Sequence, residues 1–182
     1  LALPCLRDIT IYGDGKTNSR IKQITNAENG FTSSCVWATT KNGLKIRDLW
    51  LASTGAVATA GYGIHLNAMG RSQITNVYFE SWRTGLHSTN SLEVTVRGNS
   101  FAGGQDGIGD DASSGTDSND WVVDDNDFET QSRNAIRLAS TPASYRVINN
   151  SFQGADKGAI WIIAGFGIAV DNNYFEANSD GT

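Results

Sequence analysis

Cysteine, histidine and proline each occur only twice in this 182-residue chain, and methionine once. Two cysteines cannot make a disulfide framework. Cys5 and Cys35 read as buried free thiols, a common state of isolated cysteines in protein interiors, with a single bridge as the lesser reading. Neither stands in a C-x-x-C pair or near a histidine pair, which argues against a zinc site. No apolar run approaches the ~20 residues of a membrane span. No excess of basic charge is present: the net charge is -5 and the pI about 4.9, which argues against a nucleic-acid partner. No stretch holds the i, i+3, i+4, i+7 pattern over three turns, so helices are expected to be short or absent. There is no initiating Met, charged n-region or cleavable apolar stretch. A chain that opens on Leu1-Ala2-Leu3-Pro4 reads as a piece of a longer protein.

What is abundant is repetition. Six-residue segments align in one register: Leu6 to Ile11, Ile46 to Leu51, Ile74 to Phe79, Val96 to Phe101, Val123 to Phe128, Val147 to Phe152 and Val170 to Phe175. The first position is always aliphatic. The sixth is Ile, Leu and then Phe throughout. The fourth becomes Asn at Asn99, Asn126, Asn150 and Asn173. A second segment carries small-aliphatic pairs: Cys35-Val36, Gly63-Ile64, Gly85-Leu86, Gly107-Ile108, Ala135-Ile136 and Ala159-Ile160. Such a repeat, with strand-like alternation and no heptads, predicts an all-β fold: a right-handed parallel β-helix of about six or seven rungs, in which equivalent positions stack. The Phe column is then a core stack. The Asn column is a turn whose amides bond up and down the stack, as in cross-β ladders.

Alternation also names the outward positions. One outward column is expected to read Trp37, His65, His87, Gly109, Arg137 and Trp161. Aromatic, imidazole and guanidinium groups on one face suit a sugar-binding groove, with His65, His87, Arg137, Trp37 and Trp161 as substrate-binding residues. A subunit interface has a similar composition. Acid is concentrated elsewhere. Residues 105–130 hold nine of the 19 acidic residues and no Lys or Arg. Residues 1–104 carry +4 and residues 105–182 carry -9, so the modest net charge hides a strong asymmetry along the rod. Paired carboxylates serve glycoside hydrolysis; Asp-rich segments also form solvated turns or bind Ca²⁺. Ca²⁺ is the one cofactor the segment suggests. Asp110 falls in an inward column, where an unpaired carboxylate is costly. Glu80 and Glu129 share the column just after the Phe stack.

Segments such as Ile148-Asn149-Asn150-Ser151-Phe152 and Asp171-Asn172-Asn173-Tyr174-Phe175 make the chain resemble the pectate-lyase-like parallel β-helix superfamily, and within it the central domain of phage tailspike depolymerases. That resemblance implies a trimer in a virion tail or outside the cell, cleaving a capsule or O-antigen polysaccharide with paired Asp and Glu. Carried onto this sequence, the acid candidates are Glu80, Asp106, Asp110, Asp111 and Glu129. The pectate lyase Ca-site motif has no equivalent. Two alternatives remain open. One is β-elimination on a uronic-acid polymer, with Arg137 or Arg97 neutralising the carboxylate and His87 taking the proton. The other is a non-catalytic fibre segment.

Overall fold

The computed structural model describes residues 1–4, 8–23, 28–35, 43–54, 61–110 and 118–179. The described chain runs through β1 (Ala2–Leu3), β2 (Ile9–Tyr12), β3 (Arg20–Lys22), β4 (Phe31–Ser34), β5 (Leu44–Ala52), β6 (Tyr62–Asn67), β7 (Gln73–Glu80), β8 (Thr84–Thr89), β9 (Leu92–Arg97) and β10 (Ser100–Ala102). It continues through β11 (Asp106–Asp110), β12 (Asn119–Asp124), β13 (Asp127–Glu129), β14 (Asn134–Leu138), β15 (Arg146–Ile148), β16 (Ser151–Gln153), β17 (Ile160–Ile162), β18 (Ala169–Asp171) and β19 (Tyr174–Glu176). No helix occurs among the described residues.

Every strand pair is parallel, and the pairing is that of a β-solenoid. Face A is a seven-stranded sheet in the order β1-β4-β6-β8-β11-β14-β17. Faces B and C are two wings of one twelve-stranded sheet. They are continuous through the long strands β5 and β7 and separate elsewhere, with β9, β12, β15 and β18 on face B and β10, β13, β16 and β19 on face C.

The corners explain how a period-two chain turns. Left-handed backbone recurs in columns. Asp48, Asn76, Gly98, Asp125, Asn149 and Asn172 have φ between 51° and 64° at the B-to-C corner. Asp, Asn and Gly are the residues that tolerate that conformation. Arg71, Glu93, Asp120 and Ser144 repeat it at the entry to face B, and Ser81, Gly103, Thr130 and Gly154 at the exit from face C. From Gly98 onward an Asn follows the B-to-C corner residue and closes the corner. Asn126 Nδ2 donates to Val96 O and to Asn150 Oδ1, both at 2.9 Å, while the Asn126 amide N–H bonds Asn150 Oδ1 at 2.9 Å. The predicted ladder is present from Asn99 to Asn173.

Inside, the rings of Phe79, Phe101, Phe128, Phe152 and Phe175 stack with centroids 4.6 to 5.1 Å apart. Each fully buried ring contributes about 1.5–3 kcal/mol, and each ring pair adds about 0.5–1.5 kcal/mol. The small column opposite exists to admit those rings. A Cβ on Gly107 would lie 2.6 Å from Phe128 Cδ1 and 2.7 Å from Ala135 O.

Three expectations need correction. Cys35 is disulfide-bonded rather than a free thiol, and no free cysteine remains among the described residues. The first hexamer is out of register: Ile9 pairs with Leu44 and Ile11 with Ile46, so Ile21 of β3, and not Ile11, pairs with Leu51. Apolar alternation fits either half of the hexamer, and the loop between β2 and β3 occupies the corner. Finally, Phe31 pairs with Ile64 and Thr32 with His65. The small-apolar pair of that rung is Gly30-Phe31, and Thr32 holds the column position expected for Trp37, which lies outside the described residues.

Candidate functional site

Two faces carry the groups singled out in the sequence. On face A the register His65, His87, Gly109, Arg137, Trp161 is as expected. His87 is only 2 % exposed, because Tyr62 stacks on it at 3.9 Å and 9°. His65 lies 5.0 Å from His87 between ring centroids, and its Nε2 is 3.1 Å from Thr89 Oγ1. Arg137 sits over the Trp161 ring at 4.8 Å and Arg83 over the Tyr62 ring at 5.8 Å.

The face A carboxylates are built into the fold. Asp106 is 2 % exposed and takes a bidentate ion pair from Arg133, with Nε donating at 2.8 Å and Nη2 closer still. That hydrogen bond raises the Arg133 pKa further. Asp110, also 2 % exposed, pairs with Ser88 and faces inward, as its column predicts. It accepts from the Ala139 and Ser140 amides and from the Ser140 hydroxyl at 2.5 Å. Burial pushes its carboxyl up, against the pull of those donors and of His87. An inward carboxylate is thus reconciled with a packed core by caging it in donors. Asp111 lies outside the described residues.

Face C differs. Its outward columns run Arg20, Trp50, Tyr78, Ser100, Asp127, Ser151, Tyr174 and, two residues on, Lys22, Ala52, Glu80, Ala102, Glu129, Gln153, Glu176. The loop between β2 and β3 folds back over this face. Lys16 Nζ donates to Ser100 Oγ at 3.1 Å, 84 residues away in sequence. Lys16 and Thr17 wall a cleft of about 260 Å³ with Tyr78, Ser100, Asp127 and Glu129. Asp127 and Glu129 are adjacent outward positions on β13 and share a hydrogen bond. The Glu129 carboxyl is raised by desolvation, by the charge of Asp127 and by that bond, while Asp127 Oδ1 has no partner. Glu80 is held by Arg20 at 2.8 Å and by Trp50 Nε1 at 3.0 Å. Partial burial and the charges of Glu80 and Glu129 raise the Tyr78 hydroxyl, and Tyr78 shares the cleft lining with Glu129. Asp127, Tyr78 and Lys16 were not among the sequence candidates. Only the outward slot of Asp127, two residues before Glu129, could have signalled the pair.

The described acids of residues 105–130 therefore form no single patch. Asp106 and Asp110 belong to face A, Asp124 to face B, and Asp127 and Glu129 to face C. The segment crosses two corners, and each corner redirects its outward side chains.

The parallel solenoid with its stacked columns has counterparts among known proteins. Residues 6–181 match the family described as periplasmic copper-binding protein (NosD). The chain belongs to the NosD family. A solved structure from Geobacillus virus E2, ORF18, has the same fold, with a TM-score of 0.68 and 14 % identity over 94 % of this chain and 36 % of that one. This chain thus spans about a third of that viral protein. No curated protein matches the sequence.

The description of the NosD family implies copper, which favours His, Cys and Met ligands. The described residues do not fit it. Cys35 is disulfide-bonded, Met69 is buried with its Sδ 3.4 Å from Cys35 Sγ, and His87 is stacked under Tyr62. No group of three or more His, Cys, Asp or Glu able to hold a metal ion is found among them.

Proposed function

We propose that this chain is the glycan-processing segment of a phage-type surface protein, working on a virion tail or outside the cell. It binds a bacterial capsule or O-antigen polysaccharide on its flanks and hydrolyses a glycosidic bond on face C. The observation that carries this reading is the pairing of a raised carboxyl at Glu129 with a second carboxylate, Glu80, held by a guanidinium and an indole N–H. A carboxyl with a raised proton affinity is suited to the acid role in such a pair. Glu129, protonated, donates to the departing glycosidic oxygen. Glu80 takes a proton from the attacking water. The two residues are two strand spacings apart, or about 10 Å at the backbone. That distance leaves room for water and favours inversion of configuration. Asp127 positions and tunes Glu129, Tyr78 offers a ring and hydroxyl to the sugar, and Lys16 closes one side of the cleft.

The test is release of new reducing ends from a panel of capsule and O-antigen polysaccharides. Activity in the wild type that is lost in Glu129→Gln and Glu80→Gln, with unchanged circular dichroism, supports the reading. Full activity in both variants overturns it.

Of the other readings, a binding segment without catalysis is favoured by one observation: the two described acid candidates on face A serve the fold. Binding without product would decide for it. Elimination has less support: Arg97 lies on face B beside Asp124 at 3.4 Å, and His87, which shares a pit with Arg137, is 2 % exposed beneath the Tyr62 ring. An unsaturated product absorbing in the near ultraviolet would decide for it. A trimer fits this kind of protein, and sedimentation of the full chain tests it: a clean monomer counts against it.

A further inference from the structure

Face A holds a small pit whose floor is Gly109. In the column His65, His87, Gly109, Arg137, Trp161 it is the only position without a side chain. A Cβ there would touch Thr84 Cγ2 at 3.2 Å and approach Asp106 Oδ2 at 3.8 Å. The cavity of about 10 Å³ is lined by three guanidiniums, Arg83, Arg133 and Arg137, by the carboxylates of Asp106 and Asp110, and by the rings of Tyr62 and His87. That is room for roughly one water-sized group, so an oxygen can enter and a sugar ring cannot.

Among the described residues lining the pit, three guanidiniums meet two carboxylates. Arg133 is neutralised by Asp106 in a bidentate pair. The Asp110 carboxylate is turned inward onto the Ala139 and Ser140 amides and the Ser140 hydroxyl. Arg83 and Arg137 make no ion pair among the described residues; each rests over an aromatic ring instead. Two half-buried guanidiniums that make no ion pair among the described residues, at the mouth of a one-oxygen pit and flanked by Tyr62 and Trp161, match a planar anion attached to a ring. Guanidinium forks suit carboxylates, and the aromatic planes suit the sugar carrying one.

We propose that the Gly109 pit is a carboxylate-binding subsite, in which Arg83 and Arg137 hold the carboxylate of an acidic sugar while its ring lies against Tyr62 or Trp161. The glycan is then anionic. This rests on the reading of the chain as a polysaccharide binder and not on the chemistry of face C.

The experiment is calorimetric titration of the full chain with tetrasaccharides containing glucuronate, galacturonate or sialate, each beside its carboxyl-reduced form. At least one acidic member is expected to bind about tenfold or more tightly than its reduced counterpart, a difference of about 1.4 kcal/mol. Arg83→Gln combined with Arg137→Gln should erase that preference. Gly109→Ala should weaken it with both guanidiniums in place, and Arg137→Lys should retain part of it. Circular dichroism checks that the variants fold. The subsite is overturned if no acidic member is preferred, or if the preference survives in the double variant. Cleavage of neutral and acidic polymers alike would sink the subsite and leave face C standing. A carboxyl-dependent affinity without product on the same polymer would do the reverse.

Discussion

Face A and face C lie on either side of one corner and treat their carboxylates in opposite ways. On face A, Asp106 and Asp110 are buried, and each is surrounded by donors from the next rung. On face C, Glu129 is exposed and Glu80 half-buried; Glu129 is hydrogen-bonded to another carboxylate, which raises its affinity for a proton. Face A spends acid on holding successive rungs together. Face C leaves acid facing a cleft roofed by a distant loop. An acidic residue's place in the sequence therefore says less about its work than the donors that meet it.

The comparison breaks most visibly in catalysis. Glu129→Gln is expected to lower kcat by about 10²- to 10⁴-fold, the range for losing a general acid, with the melting temperature unchanged. Arg133→Gln should do the opposite. It leaves the Asp106 charge buried and unpaired, a loss of about 3–5 kcal/mol, while turnover per folded molecule stays near the wild-type value. Denaturant unfolding beside a reducing-end assay measures both. If Arg133→Gln removed activity without loss of stability, the division between the faces would fail.

Asp110→Ala should cost about 2–4 kcal/mol by leaving amide donors without an acceptor. A pH titration of stability sharpens the point. The folded state binds the Asp110 proton more tightly than the unfolded chain does, because burial raises its carboxyl. Stability contributed this way falls as pH rises from the ordinary carboxylate range through the raised value. Asp110→Asn should flatten that slope in melting curves taken at successive pH values.

The smallest expected effect concerns tuning. In the hydrolytic reading, activity declines as pH rises and Glu129 loses its proton. Asp127→Asn removes a negative neighbour, lowers the Glu129 pKa and moves the alkaline limb of the kcat profile to lower pH. An unmoved limb would separate Glu129 from the acid role.

The solenoid was legible because one error in a column is outvoted by its other members. Phe79 to Phe175 and Asn99 to Asn173 define the stack wherever the loops fall. The first rungs have no such columns, so alternation alone does not distinguish the half of the turn that Ile9 and Ile11 occupy, nor Trp37 from Thr32 as the member of the His65 column. The candidate site was legible in pieces. Glu80 and Glu129 share the predicted column through Ala102. The cleft was not legible, since Lys16 reaches it through a loop whose sequence carries no register.

Alternation by itself determined which residues face in and which face out, because a strand offers only those two choices at each step. Tertiary structure decided which outward residues are neighbours. A three-sided coil offers three outward directions, and left-handed residues at the corners choose among them. Asp106, Asp110, Asp124, Asp127 and Glu129 are close in sequence and distributed over three faces. Glu80 and Glu129, far apart along the chain, come to share one outward column of face C because parallel stacking sets equivalent positions about 4.8 Å apart per rung.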